Sequence, residues 1–145
     1  MRIVYLSGGP REKTLAALLD AGFVVDLAIL NDPAKFPKVI PTLELARSKG
    51  IPVSIVQSKR DLHPELVRGT VGLSVGFGFV MPSEFLRSMK ACLNVHGTLL
   101  PKYRGMTFPW LIVKGDTETG TTVHVIDEGV DTGPIILQRS FPVSP

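Results

Sequence analysis

Five short apolar runs, each followed by a turn or helix signal, limit what this chain can fold into. They read "RIVYLS" (2–7), "VVDLAIL" (24–30), "PVSIVQ" (52–57), "VGLSVGF" (71–77) and "ACLNVHG" (91–97). Short runs rich in Val, Ile and Leu are strands, and strands apolar at nearly every position are buried on both faces. Between the first two, Leu15, Leu18 and Leu19 fall on one helical face, and Gly22 ends that helix. A helix over 38–49 stops at Gly50, "HPELVRG" gives a short helical turn, and "PSEFLRSM" (82–89) opens on Pro and Ser as a capped helix does. Alternation of this kind predicts a parallel sheet with helices on both faces.

The pattern changes after the fifth strand. A helix near 108–114 precedes "TTVHVID" and "GPIILQRSFPV", which only "EGVDT" separates. A link that short permits an antiparallel pair but no crossover. The expected fold is α/β: a Rossmann-like, doubly wound, mostly parallel sheet with an antiparallel edge, built as one domain over 1–145. Sheets of this type bind ligands outside the carboxyl ends of their strands. Asn94 and His96 stand at such an end.

Composition excludes several classes. The 145 residues are 44% hydrophobic and 20% charged, which suits a globular domain burying roughly two-thirds of its unfolded surface. The net charge of +3 is spread out, with "SKR" (58–60) and "KYR" (102–104) the only tight basic groups. A nucleic-acid binder is expected to carry a denser stripe with interleaved aromatics, so no nucleic-acid partner is expected. The single Cys92 gives no disulfide framework, and no apolar run suits a signal peptide or a membrane span; the expectation is a cytoplasmic protein. His63, His96 and His124 lack ligand spacing, so no metal is expected. "SGGPREK" hints at a phosphate loop but has neither G-x-G-x-x-G nor G-x-x-x-x-G-K-[ST].

The chemistry-bearing residues cluster late. Asn94 and His96, two apart on a strand, share a face. An amide and an imidazole at a strand exit can hold a developing oxyanion and move a proton; equally, they are what a well-bonded strand end contains. Asp131, in "EGVDTG", is either an ordinary turn Asp or a carboxylate that supports His96 and relays a proton by water. Lys102 and Arg104 lie in the stiff "LLPKYRG" loop, where they suit phosphate or carboxylate on a substrate or simply keep the loop soluble. His124 faces opposite to Val123 and Val125, as an ordinary strand His or as a lining of the same cleft.

"NVHGTLLPKYRG" followed by "GDTETGTTVHVIDEGVDTG" resembles the folate-dependent formyltransferases: the glycinamide ribonucleotide, methionyl-tRNA and sugar N-formyltransferases. The likeness covers about residues 70–143, with the earlier residues similar in layout, and N-x-H, L-L-P-x-x-R-G and D-x-G in this order make it specific. It implies that Asn94, His96 and Asp131 form a catalytic trio. A substrate amine would attack the formyl group of 10-formyltetrahydrofolate. Asn94 and protonated His96 would stabilise the oxyanion, and Asp131 would support His96 and help remove the amine proton. It also implies a folate pocket made by Phe77, Gly78, Phe79, Val80 and Met81 together with Asp127, Glu128, Gly129 and Val130. Lys102, Arg104 and His124 would meet the substrate.

"SGGPREK" is unlike the phosphate loop of the glycinamide ribonucleotide enzymes, and "NDPAKFPK" is shorter than the basic loop of the methionyl-tRNA enzymes. With Trp110 in the helix after the loop, the sequence looks closest to the sugar N-formyltransferases in a shortened form, so an amino sugar, free or nucleotide-linked, is the expected acceptor. A formyltetrahydrofolate hydrolase and a non-catalytic folate-binding module are the alternatives. The final strand, with Ile135 and Leu137 alternating with Ile136, is expected to pair two copies through 133–143; the alternative is a monomer in which the helix near 108–114 covers it.

Overall fold

A computed structural model describes residues 2–105 and 108–143. The chain forms two compact units, Met1–Cys92 and Leu93–Pro145.

The first unit is the predicted parallel α/β layer. Its strands β1 (Ile3–Ser7), β2 (Val25–Asn31), β3 (Val53–Val56) and β4 (Val71–Val75) take the order β3-β2-β1-β4, all neighbours parallel. The helices α1 (Glu12–Asp20) and α2 (Ile40–Ser48) connect β1 to β2 and β2 to β3, 3-10 turns stand at Pro37–Val39, Lys59–Asp61 and Pro64–Val67, and α3 (Ser83–Ser88) follows β4. Every residue of β1 is buried, as an apolar central strand requires. Gly22 and Gly50 adopt left-handed φ of 82° and 68° and close α1 and α2 as the sequence predicts. Each is followed by an amide that reaches back five residues, Phe23 to Leu18 and Ile51 to Ala46. The expected side-chain cap of α3 is not made. Pro82 occupies the cap position in extended conformation, so Ser83 already lies inside the helix.

Strand order reverses between β1 and β4, where Gly8 N–H donates to the Gly76 carbonyl at 3.0 Å. A Cβ on Gly8 would strike Asn31 Oδ1. The core holds Tyr5, Leu6, Leu15, Ile29, Leu30 and Phe85, each with no exposed surface. Burial raises the Tyr5 hydroxyl pKa well above its ordinary value, and Tyr5 Oη donates to the Arg11 carbonyl at 2.9 Å. Cys92 is buried, and burial pushes its thiol up to about 12.

The second unit is antiparallel. Strand β5 (Ala91–His96) enters it at Leu93; β6 (Glu118–Val125) lies between β5 and β7 (Ile135–Pro142). A bulge between Val123 and His124 leaves Ile136 unpaired. All of β7 is exposed, Ile136 and Leu137 by 61% and 63%, which bears on the expected pairing of copies only as exposure. In α4 (Phe108–Val113), Leu111 is buried and Trp110 is exposed. Among the described residues no helix is long and apolar enough to cross a membrane.

Candidate active site

The register of β5 on β6 decides which side chains meet. Asn94 stands opposite His124, and His96 opposite Thr122. Directly opposed residues share a face. Asn94 and His96, two apart, therefore share one face with His124 and Thr122. Asp131 comes from the β6–β7 loop. It is the only non-glycine residue with positive φ, 52°, among the described residues, a conformation that Asp tolerates better than most.

Its carboxylate lies between two imidazoles. Oδ2 is 3.4 Å from His96 Nδ1, and Oδ1 is 3.3 Å from His124 Nε2. Asn94 Nδ2 is also 3.3 Å from His124 Nε2. The far nitrogen of each ring faces a main-chain carbonyl: His96 Nε2 meets Tyr103 O at 2.7 Å and His124 Nδ1 meets Val125 O at 2.8 Å. A carbonyl can only accept, so both far nitrogens carry hydrogen. In the neutral rings, the nitrogens aimed at Asp131 are then bare. The bare Nε2 of His124 accepts the Asn94 amide. A proton on the Asp131 carboxylate lies within reach of either ring.

The loop between β5 and α4 closes the network. Thr98 Oγ1 donates to Tyr103 O at 2.9 Å, Thr122 Oγ1 donates to Thr98 O at 2.8 Å, and Gly105 N–H donates to Asp131 Oδ2 at 2.7 Å. Gly105 has φ 76°, so a side chain here would be strained.

The other expected site residues separate by role. Lys102 is tied to Asp116, its ammonium 2.9 and 2.8 Å from the two carboxylate oxygens, which raises the Lys102 pKa and lowers that of Asp116. Arg104 is exposed. His124 is 2% exposed and sits inside the network.

In the second unit, Asp127 Oδ1 accepts from Thr132 Oγ1 at 2.6 Å and from Gly129 N–H at 3.0 Å, and these bonds hold its carboxyl below the usual range. Glu128, Gly129 and Val130 are exposed beyond it. In the first unit, Phe77 and Phe79 meet edge to face at 5.8 Å, and Phe79 meets Phe36 at 5.9 Å. Gly78 N–H donates to Asn31 Oδ1 at 2.9 Å. Val80 is 78% exposed, whereas Met81 is buried with its sulfur 4.0 Å from Cys92 Sγ.

Sequence reasoning missed Asn31, Phe36, Tyr103 and Thr122. The first two lie far along the chain from the 77–81 segment they support. Tyr103 acts through its carbonyl, which no residue type announces. Alternation put His124 on a polar face, but only the register reveals its partners.

The formyl transferase family model matches residues 36–145. The chain belongs to the formyl transferase family. The match begins well before the stretch over which the resemblance was clear from motifs. The chain is 37% identical over its whole length to the methionyl-tRNA formyltransferase of Geotalea uraniireducens (strain Rf4), and spans 50% of that relative. Its fold superimposes on glycinamide ribonucleotide transformylase 1 from Symbiobacterium toebii with a TM-score of 0.81 and 26% identity, covering 100% of this chain and 74% of that one. A sugar N-formyltransferase from Shewanella sp FDAARGOS_354 shares the fold with a TM-score of 0.73 at 21% identity, over 99% of this chain and 58% of that one. The Rossmann-like class expected from the sequence is the fold of this family. Among the described residues, no group of three or more His, Cys, Asp or Glu is placed to hold a metal ion.

Proposed function

We propose that this formyl transferase chain moves a formyl group from 10-formyltetrahydrofolate to a primary amine. The observation that carries this reading is the Asp131 carboxylate between His96 and His124, with Asn94 bonded to His124.

In this reading the attacking amine bonds to the formyl carbon and sheds its proton to Asp131, directly or by water. A proton is returned to the folate nitrogen as its bond to that carbon breaks and tetrahydrofolate leaves. Asn94 uses one amide hydrogen on His124 and keeps the other for the oxygen that becomes an oxyanion. When the His96 ring is protonated, its Nδ1–H meets Asp131 only at 3.4 Å and can also be offered to that oxygen. For the donor, the exposed main chain of 128–130, set in a turn by Asp127, fits a flat heteroaromatic edge that reads amides. In the first unit, the Phe77 and Phe79 rings beside the exposed Gly78 offer an apolar aromatic surface that suits the face of such a ring.

For the acceptor, the relatives favour a phosphate-bearing amine over a free amino sugar. Curated relatives at 37% and 39% identity are methionyl-tRNA formyltransferases. The sugar enzyme is similar at a level that speaks for fold alone. Methionyl-tRNA is thus the first acceptor to test, and with it a nucleic-acid partner, against the expectation drawn from composition. Arg104, exposed beside the site, suits an acceptor phosphate better than Lys102, whose charge Asp116 already meets.

The test is release of tetrahydrofolate from 10-formyltetrahydrofolate, with methionyl-tRNA, glycinamide ribonucleotide, an amino sugar nucleotide or no amine. Amine-dependent release supports transfer. Release at equal rate without amine points to hydrolysis, and no release under any condition overturns the reading.

A further inference from the structure

The carbonyl that sets the His96 ring belongs to no helix or strand. Tyr103 lies in the loop after β5, and its carbonyl accepts from both His96 Nε2 and Thr98 Oγ1. Two residues on, the Gly105 amide holds Asp131 Oδ2, the oxygen that faces His96. Two residues of this loop, Tyr103 and Gly105, thus grip both members of the His96–Asp131 pair.

What fixes this stretch is the Tyr103 side chain. It is 7% exposed, and its hydroxyl donates to Asp116 Oδ2 at 2.7 Å. The Lys102 and Lys114 ammonium groups lie 5.2 and 5.6 Å from its ring centroid, within cation–π range. Asp116 is anchored in turn, because its own N–H donates to Leu111 O at 3.0 Å at the end of α4. A surface ion pair such as Lys102–Asp116 contributes little stability by itself. What the cluster supplies is a fixed place for one carbonyl.

We propose that Asp116 is a positioning residue for His96, acting through Tyr103. It sets which ring nitrogen bears hydrogen and aims the other at Asp131. The activity readout of the test below rests on the formyl-transfer reading; the spectroscopic readout does not. A cavity of about 220 Å³ opens against Tyr103 and Asp116, so truncating Asp116 admits water instead of leaving a dry void.

The experiment compares Asp116→Ala, Asp116→Asn and Tyr103→Phe in the full chain by 15N spectra of the histidine rings and by steady-state kinetics with 10-formyltetrahydrofolate and methionyl-tRNA. In the wild type, His96 should show hydrogen on Nε2. Asp116→Ala should move that pattern toward a mixture of tautomers while leaving His124, held by Val125 O, unchanged. It should lower kcat about tenfold or more, with both KM values within about twofold, as small misplacements of reacting groups do. Asp116→Asn still accepts from the Tyr103 hydroxyl and should restore most of both readouts, with Tyr103→Phe in between. Should Asp116→Ala fail to fold, Tyr103→Phe carries the same test. An unchanged His96 spectrum in Asp116→Ala, or in Tyr103→Phe where that variant stands in, overturns the proposal. So does equal disturbance of His96 and His124. If the wild type transfers no formyl group, the functional reading fails, and the ring spectra alone decide positioning.

Discussion

The two units bury different things. In the first, the strands bury carbon: β1 is buried throughout, and Tyr5, Leu6, Ile29, Leu30 and Phe85 have no exposed surface. Its buried polar side chains bond to main chain nearby or across the sheet, as when Ser7 Oγ donates to Val75 O at 3.0 Å and Thr70 Oγ1 to Val67 O at 2.7 Å, and Asn31 Nδ2 is left without a partner among the described residues. In the second, β5 and β6 set Asn94, His96, Thr122 and His124 side by side, and the buried contacts are polar and shared. Apolar packing tolerates change as long as volume is kept; a polar network works only when each member is satisfied. Substitutions in the first unit should therefore cost stability, and those in the second should cost turnover.

The hardest blow to that division is Phe85→Ala. Phe85 is fully buried, so truncation should cost about 3–5 kcal/mol. Urea unfolding would show it, while kcat per folded molecule stays near wild type. A Phe85→Ala protein with intact stability but lost turnover would reverse the assignment of roles.

Next in size is His96→Ala. Turnover should fall on the order of 100-fold or more, as expected when an acid–base or charge-stabilising group is removed. The melting temperature should shift little, because the His96 ring lies at the rim of the network and not in an apolar core. The same is expected of Asp131→Ala. Wild-type turnover in either would remove that residue from the mechanism.

The contrast also explains what could be read from sequence. Apolar runs with period and length are local signals, so all strands and helices of the first unit were legible, as were the Gly22 and Gly50 stops. Asn94, His96 and Asp131 were legible as residue types at a strand end and in a turn. Their partners were not. Whether His124 meets Asn94 depends on the β5–β6 register, which "GTTVHVID" does not encode by itself. The support from Tyr103 comes from a main-chain oxygen. Lys102 looked like a free cation because its counter-ion lies fourteen residues away, across α4.

A smaller effect separates the two cations of that loop. Arg104→Ala should raise KM for a phosphate-bearing acceptor several-fold, with less change in kcat, since such contacts bind ground and transition states alike. Lys102→Ala should instead act on kcat, through Asp116 and Tyr103. Equal kinetics for Arg104→Ala and wild type would take Arg104 out of substrate binding.

The smallest expected effect sets one carboxylate of each unit against the other. Asp61 is held below its ordinary pKa by the amides of Gln57 and Ser58, at 2.8 and 2.9 Å. Asp116 is lowered first by Lys102 and then by Tyr103. A carboxyl whose folded pKa is depressed adds stability above its unfolded value, near 4, and loses it as pH falls through the lower folded value. The melting-temperature gap between wild type and Asp61→Asn, or Asp116→Asn, should therefore be full near pH 6 and close progressively below about pH 4. Lys102 moves the other way. Its pKa is raised by Asp116, so its share is present below the ordinary lysine value and lost as pH rises through the higher folded one. Salt separates the two carboxylates at neutral pH. Asp61 bonds to main-chain dipoles at short range, and the Lys102–Asp116 pair is a charge pair that added ions screen. Raising salt toward about 1 M should shrink the Asp116→Asn gap and leave the Asp61→Asn gap nearly constant. If both gaps shrank alike, the Asp116 cluster would owe nothing specific to its charges, and hydrogen bonding alone would account for both units.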